Sequence, residues 1–200
     1  MIDRASFLRL GAATTIGLLA VPVAASAQGL PTPAPQGDDI GFLQFGVLAE
    51  QVSLDAYRAA AKHPGQWSAD ERALLKTLIR QKTDHVAQLT TALGANAPAP
   101  GDYSVRLPAN TLSARRSALS FLERLEQMLV GVYLGGAAFS ADDATALLIA
   151  RLLASDAQDL SALRTLRGVP AVAGLPTPLD IDTAGDQLDQ LLQANGYPTT

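Results

Sequence analysis

Two ionisable residues lie where an apolar helix stripe would be expected to continue. Between Leu78 and Leu89 the chain reads LIRQKTDHVAQL, and Lys82 and His85 fall on the line of the flanking leucines. Residues three and four positions apart share one face of a helix, so both side chains are predicted to point into the core. A buried charge without a partner is very costly. The fold must therefore bring acidic groups to this helix from other segments.

Three other helical segments supply such groups. Each has an apolar stripe at helical spacing with acidic residues in its middle. Because the charges recur at mid-stripe on separate segments, they are predicted to meet in one polar layer inside a helical bundle. The acidic stripe residues are Glu50 in the first segment, Glu126 in the third, and Asp156 and Asp159 in the fourth.

Start and stop signals predict four long helices and a short fifth. The 200 residues are 48% hydrophobic and only 5% aromatic, which suits a single all-α domain with an Ala/Leu-rich core. Ser68 and Glu71 form a capping box at the start of the second helix. The predicted helices run from Asp38 to about Lys62, from Ser68 to Gly94, from Thr111 or Ser113 to Ala138, from Ser140 to Arg167, and from Ala184 to Ala194.

The segment between the second and third helices, residues 95–110, is too long for a tight turn. It is predicted to be a crossover that travels the length of the bundle. In the third helix, Gly131, Gly135 and Gly136 predict a close approach of neighbouring backbone. We therefore expect a four-helix bundle at residues 38–168 and a C-terminal extension with a short helix at residues 169–200.

The first 27 residues are predicted to be an export signal. Arg4 and Arg9 precede an uncharged run of 18 residues, and this run closes on a small-x-small cleavage site ending at Ala27. Cleavage would start the mature chain at Gln28, followed by a Pro-rich linker at residues 28–37, and would place the protein in the periplasm or outside the cell. The alternative is an uncleaved membrane anchor, for which 18 residues is near the lower limit. The basic start resembles a twin-arginine signal, but Ala5 interrupts the pair.

Charge and cysteine content exclude several functions. The net charge is −4 with no basic patch, which argues against nucleic acid as a partner. The chain has no cysteine, so disulfides and thiolate metal sites are excluded. The sequence also shows no Gly-rich phosphate loop and no Ser-His-Asp arrangement.

The stripe residues resemble the ligand pattern of the ferritin-like superfamily. The resemblance covers about Asp38 to Gly168 and is closer to the exported bacterial ferritin-like proteins that include desiccation-related members. It implies a four-helix bundle with a long crossover, and a two-metal site built from a Glu on each of two helices and a Glu-x-x-His on each of the other two. The most specific matching runs are Glu126 with residues 131–138, residues 85–89, and residues 161–164.

The match is incomplete at the site itself. Lys82 stands where the resemblance implies a Glu, and Asp156 with Asp159 stands where it implies Glu-x-x-His. An ammonium group offers only donors and adds positive charge where a cation should sit. The candidate metal ligands are Glu50, His85, Glu126, Asp156 and Asp159, with Lys82 replacing a ligand.

Simpler interpretations of these residues stay open at this point. Glu50 or Glu126 alone could be a boundary residue that reaches water. Asp156 and Asp159 would face solvent if their helix were rotated by one position. His85 could be a metal ligand or a core histidine hydrogen-bonded to a carboxylate. The hydroxyls of two stripe tyrosines, Tyr57 and Tyr133, are expected to join the layer.

Three function hypotheses follow. The first, which we favour, is a non-catalytic ferritin-like protein with a structural, protective or interaction role in the cell envelope and a remnant site. No cofactor is then expected. The second is a metal protein that holds a single iron, manganese or zinc ion, with redox or storage activity. The third is a module that binds an unknown protein partner. Membrane contact is expected only if the export signal stays attached.

Overall fold

The computed structural model describes residues 30–63, 66–99, 101, 103–108, 110–172, 174 and 176–194. The predicted export signal and its cleavage site lie outside the described residues, so they and the proposed domain boundaries stay predictions. The elements below belong to one compact unit that begins at Pro31. No helix within the described ranges combines the length and the apolar character needed to cross a membrane.

The fold is an all-α bundle of four long helices, as predicted. α1 packs along α2 and α3 packs along α4, and further contacts join α1 to α3 and α2 to α4. The stripe leucines of all four helices meet in one buried core. The long helices are α1 (Asp38–Ala61), α2 (Ala69–Leu93), α3 (Arg115–Phe139) and α4 (Asp143–Arg167), followed by the short α5 (Ile181–Asp189).

Two helix ends follow the predicted signals. The Ser68 hydroxyl accepts from the Glu71 N–H at 3.2 Å, and the Glu71 carboxylate accepts from the Ser68 N–H at 2.8 Å, so the capping box of α2 is complete. At the end of α4, Gly168 adopts a left-handed conformation with φ of 75°, where a side chain would be strained.

The predicted starts of α3 and α4 are wrong by a few residues. The Ser113 hydroxyl donates to the Asn110 carbonyl at 2.7 Å, so it is committed to the preceding turn and does not cap α3. In α4 the capping residue is Asp142 rather than Ser140, because the Asp142 carboxylate accepts from the Thr145 N–H at 2.8 Å. A carboxylate also interacts more favourably than a hydroxyl with the positive end of a helix.

The C-terminal segment differs from the prediction of a helix through Ala194. α5 ends at Asp189, and a short strand, β2 (Leu192–Ala194), pairs antiparallel with β1 (Tyr103–Val105) in the crossover. The pairing satisfies backbone groups that the irregular crossover would otherwise leave to water. The long connection is therefore fastened to the segment that follows α5.

The close approach of neighbouring backbone predicted at the glycines of α3 occurs at Gly131 and Gly135, whereas Gly136 admits an aromatic ring. The Leu179 N–H donates to the Gly131 carbonyl at 2.9 Å, and a Cβ built on Gly131 would come within 3.0 Å of the Leu179 Cβ. A Cβ on Gly136 would fall 2.0 Å from the Phe42 ring. The neighbours are thus the segment before α5 and an aromatic ring of α1.

Candidate functional site

The six charged stripe residues meet inside the bundle and form a polar layer. The two alternatives that placed carboxylates in solvent are therefore wrong. His85 is 5% exposed and Asp159 is 3% exposed, while the other four are fully buried. The layer consists of Glu50 from α1, Lys82 and His85 from α2, Glu126 from α3, and Asp156 and Asp159 from α4.

Lys82 lies at the centre of the layer. Its Nζ is 2.7 Å from Asp156 Oδ1 and 2.8 Å from Glu126 Oε2, and donates a hydrogen bond to each. The third carboxylate, Glu50, has its Oε2 3.2 Å from Nζ in an ionic contact without hydrogen-bond geometry. One ammonium group thus contacts carboxylates from the three other long helices.

His85 supports the same acids from the side. Its Nδ1 is 3.2 Å from Glu50 Oε1 and 3.3 Å from Asp156 Oδ1. Burial lowers the pKa of His85, but the hydrogen bonds and charges of these two acids outweigh burial and raise it to about 10. Burial disfavours the charged form of Glu50 as well and so raises its pKa, yet Lys82 and His85 bring this pKa down to about 2. Around neutral pH the histidine is a cation and Glu50 an anion.

The other three carboxyl groups hold protons more tightly than usual. Burial, only partly opposed by Lys82, raises the pKa of Glu126 to about 8, and the charge of Asp156 adds to the rise. Burial raises the pKa of Asp159 to about 6, again against Lys82. For Asp156, burial and the charge of Glu50 raise the pKa. Four carboxyl groups share the site with two cations, so retained protons offset part of the negative excess.

Two tyrosines complete the layer, as expected. The Tyr57 hydroxyl donates to Glu126 Oε1 at 2.9 Å, and the Tyr133 hydroxyl donates to Glu50 Oε1 at 3.0 Å. Burial and the nearby acids raise the pKa of both phenols well above the usual value. The two hydroxyls therefore serve as neutral donors to the carboxyl groups.

Two groups of side chains offer atoms at distances suited to an ion. Within each group the potential ligand atoms lie within 4.8 Å of one another, and Asp156 belongs to both groups. Among the described residues, Asp156 Oδ2 and Asp159 Oδ2 are buried without a hydrogen-bond partner. The groups are Glu50, His85 and Asp156, and Glu126, Asp156 and Asp159.

The family profile for the ferritin-like domain matches residues 38–169, about two thirds of the chain. The chain belongs to the ferritin-like family. The match covers all four long helices and therefore every member of the polar layer. A comparison with curated proteins found no match.

The layer of this ferritin-like domain does not fit the two-metal centre of carboxylate bundles. Two metal ions need about four carboxylates and two imidazoles. Here the central position is held by the Lys82 ammonium, which has no lone pair while protonated. Only one imidazole, His85, is within the layer, because Asp159 stands at the position of the second histidine, and Asp156 is one methylene shorter than the Glu that it replaces. The layer therefore lacks the ligand set of a two-metal centre.

Sequence reasoning missed two ion-pair sites outside the layer. Buried Glu123 accepts from Arg164 at 2.8 Å and also from Arg167. Their spacing carried a signal, because the two arginines lie three residues apart on the helix that packs against α3. Glu71, recognised only as a capping residue, also pairs with Arg115 at the start of α3. That second role depends on a contact between helices that no local pattern reveals.

Proposed function

We propose that this protein is an exported, non-catalytic ferritin-like bundle of the desiccation-related type, with a structural, protective or interaction role in the periplasm or outside the cell. The observation that carries the proposal is the position of Lys82, whose Nζ lies 2.7–3.2 Å from three carboxylates. In this proposal the polar layer is the remnant of a metal site, and its charge is balanced by the protein's own cations. No cofactor is then needed for folding.

The chemistry of the layer supports a role in holding the bundle rather than in turnover. Lys82 and His85 satisfy acids that would otherwise be buried anions with strong mutual repulsion. The same contacts fix the register of the four long helices, because carboxylates from α1, α3 and α4 must reach one nitrogen of α2. An envelope protein built in this way keeps its fold without drawing on a supply of metal.

Metal analysis of the purified protein tests this proposal. We expect wild type, after incubation with ferrous iron, manganese or zinc and removal of loose ions, to hold no stoichiometric metal. Its melting temperature should be the same before and after chelator. Two tightly held ions, with a markedly earlier melt once they are removed, would overturn the proposal.

A matched variant shows that the assay can detect a metal site in this bundle. The double change Lys82→Glu with Asp159→His moves the layer toward the family pattern. It should weaken the metal-free protein, because the central cation is lost, and should recover stability when ferrous iron or manganese is supplied. If the variant gains nothing while folding normally, substitution at these two positions is not what removed the metal site.

Export is tested separately. Amino-terminal sequencing of the protein recovered from cells should begin at Gln28, after the small-x-small site. Membrane-bound material that still begins at Met1 would favour the anchor instead. We also expect export to persist when the twin-arginine route is inactivated, because Ala5 breaks the arginine pair.

The second candidate function is the binding of a single iron, manganese or zinc ion. The unpaired oxygens of Asp156 and Asp159, close to Glu126, favour it. The ion would have to displace the Lys82 ammonium, because Lys82 already donates to two of these carboxyl groups. One ion per chain in wild type, lost in Asp159→Asn, would establish this function. An unchanged metal content in Asp159→Asn would exclude this ligand set.

A further inference from the structure

A second candidate site lies at one end of the bundle, outside the polar layer. We define the acidic pocket as the cavity of about 490 Å³ where the start of α1, the end of α3 and the start of α5 come together. A pocket of this size can enclose a small organic molecule. Its residues take no part in the polar layer, and the ferritin-like site does not account for it.

The walls of the acidic pocket are apolar and firmly placed. The Phe42 ring lies against α3 because Gly136 has no side chain, and the ring also contacts Tyr133 at a centroid distance of 6.3 Å. Leu179 is fixed by its N–H bond to the Gly131 carbonyl at 2.9 Å. The remaining aromatic wall, Phe139, is 86% exposed. An apolar group bound in the cavity would remove part of this ring from water.

The charges around the acidic pocket all have one sign. Asp38, Asp39 and Asp180 line it, and the lining residues include no lysine or arginine. Asp39 accepts the Ala141 N–H at 3.2 Å, and Asp180 accepts the Thr183 N–H at 2.8 Å, a hydrogen bond that lowers the pKa of Asp180. The Asp38 carboxylate has no ion pair or hydrogen bond among the described residues.

Helix dipoles do not cancel this charge. The starts of α1 and α5 each contribute about half a positive charge, and the end of α3 contributes about half a negative charge, which leaves roughly two to three negative charges at the pocket. The last turn of α3 carries no basic residue. The last turns of α2 and α5 carry none either, whereas α1 ends with Arg58 and α4 ends with Arg164 and Arg167. The end of α3 is thus a helix terminus without a cation, beside three carboxylates.

We propose that the acidic pocket binds a small organic cation with an apolar body, namely an alkyl- or arylalkyl-ammonium. The apolar body packs among Phe42, Phe139 and Leu179, and the ammonium group faces the carboxylates and the last carbonyls of α3. Aromatic rings also attract an ammonium group through their faces. This binding function is independent of the polar layer and of whether a metal is present there.

Three ligands with one tail test the charge requirement. Titration calorimetry on the whole mature chain would compare octylammonium, octan-1-ol and octanoate. We expect saturable binding of one octylammonium, at least about tenfold tighter than octanoate, with octan-1-ol between them. Octanoate that binds as tightly as octylammonium would overturn the proposal, as would octylammonium binding that does not saturate.

Two surface substitutions locate the site. Asp38→Asn should weaken octylammonium about two- to fivefold and leave octan-1-ol unchanged, because it removes charge alone. Phe139→Ser should weaken all three ligands, because it removes apolar wall. The matched controls are Asp70→Asn, a first-turn acid of α2, and Leu147→Ser, a side chain of α4 that is 39% exposed and lines neither this pocket nor its neighbour. Neither control should change binding, and equal effects in control and pocket variants would place the ligand elsewhere.

Because Asp38 and Phe139 are exposed, these variants are expected to fold, and a thermal melt checks this directly. Amide signals of Gly135, Gly136 and Ile181 should shift on adding octylammonium, and should shift less on adding octanoate at the same concentration. A second copy of the chain is the competing occupant. If wild type is a dimer that Phe139→Ser converts to a monomer, with no saturable ammonium binding, the pocket is an interface and the proposal fails.

Discussion

The polar layer and the Glu71–Arg115 pair contain the same kinds of groups in different surroundings. In the layer, Lys82 and three of the four carboxyl groups are fully buried. In the pair, the Arg115 side chain is 40% exposed and Glu71 11% exposed. Arg115 also donates to the Leu166 carbonyl at 3.0 Å, so the pair joins the ends of three helices.

The difference lies in what replaces a lost partner. At Glu71, water and the Ser68 N–H can satisfy the carboxylate if Arg115 is removed. In the layer three of the four carboxyl groups are fully buried, so each depends on the hydrogens that its neighbours supply. The same contact is therefore dispensable at the end of the bundle and indispensable in the middle.

Loss of Lys82 should produce the largest effect. Lys82→Met keeps the length of the side chain and removes its charge, which leaves buried carboxyl groups without their central donor. We expect a loss of roughly 3–5 kcal/mol in the free energy of unfolding, measured by urea denaturation. Arg115→Met, the matched change in the exposed pair, should cost about 1 kcal/mol or less. Similar losses for the two variants would contradict the distinction between the regions.

The groups of the layer with raised pKa values and the Glu71–Arg115 pair should respond to pH with opposite signs, whereas Glu50, with its pKa lowered to about 2, should act like Glu71 at acid pH. The pKa of Glu126 is raised from 4.5 to about 8 and that of His85 from 6.5 to about 10. A group with a raised folded pKa stabilises the fold at low pH, and this contribution disappears as pH rises through the folded value. The hydrogen bond from Arg115 lowers the pKa of Glu71, so its contribution is instead lost as pH falls below the usual range.

We therefore expect the free energy of unfolding to decline between about pH 5 and pH 10, by at most about 1.4 kcal/mol per pH unit for each titrating group. Glu126→Gln should flatten this decline between about pH 4.5 and 8, the window set by its two pKa values. Arg115→Met should leave this decline unchanged and alter only the loss of stability below about pH 4.5. A stability that rises from pH 5 to pH 9 would show that the layer does not retain its protons.

Within the layer, the charged and protonated carboxyl groups should differ. Glu50→Gln removes the anion that faces both Lys82 and His85, and should cost roughly 2–4 kcal/mol at pH 7. Glu126→Gln replaces a group that is already largely protonated at pH 7 and should cost less than about 1 kcal/mol. Urea denaturation of both variants at one pH checks this order. The reverse order would place the retained proton on another carboxyl group.

The composition of the polar layer could largely be predicted from helical periodicity alone. Lys82, His85, Glu50 and Glu126 break apolar stripes at mid-helix, and a bundle has only one interior in which such residues can meet. The partner of Lys82 was harder to predict, because contact with Asp156 depends on the rotation of α4 by a fraction of a turn. Periodicity gives the face of a helix but not the atom that a side chain reaches.

The features that sequence could not supply depend on contacts between distant segments. The cap of α4 moved to Asp142 because Asp39 of α1 takes up the Ala141 N–H at 3.2 Å. The end of α5 was misplaced because the following residues pair with a strand almost 90 positions earlier, at Val105 opposite Leu192. Local propensity favours helix there, and the backbone hydrogen bonds of the crossover outweigh it.

The smallest expected difference concerns the two tyrosines. Tyr133→Phe removes the hydroxyl that donates to the anion Glu50 at 3.0 Å, whereas Tyr57→Phe removes the one that donates to Glu126 at 2.9 Å. A hydrogen bond to a charged group contributes about 1.5–3 kcal/mol, against about 1 kcal/mol for a neutral pair. Tyr133→Phe should therefore be the more destabilising at pH 7. At pH 9, above the pKa of about 8 for Glu126, that carboxyl group becomes ionised and the two losses should converge. Urea denaturation of both variants at pH 7 and pH 9 measures the change, and a gap that stays constant between these pH values would mean that Glu126 does not titrate in the folded protein.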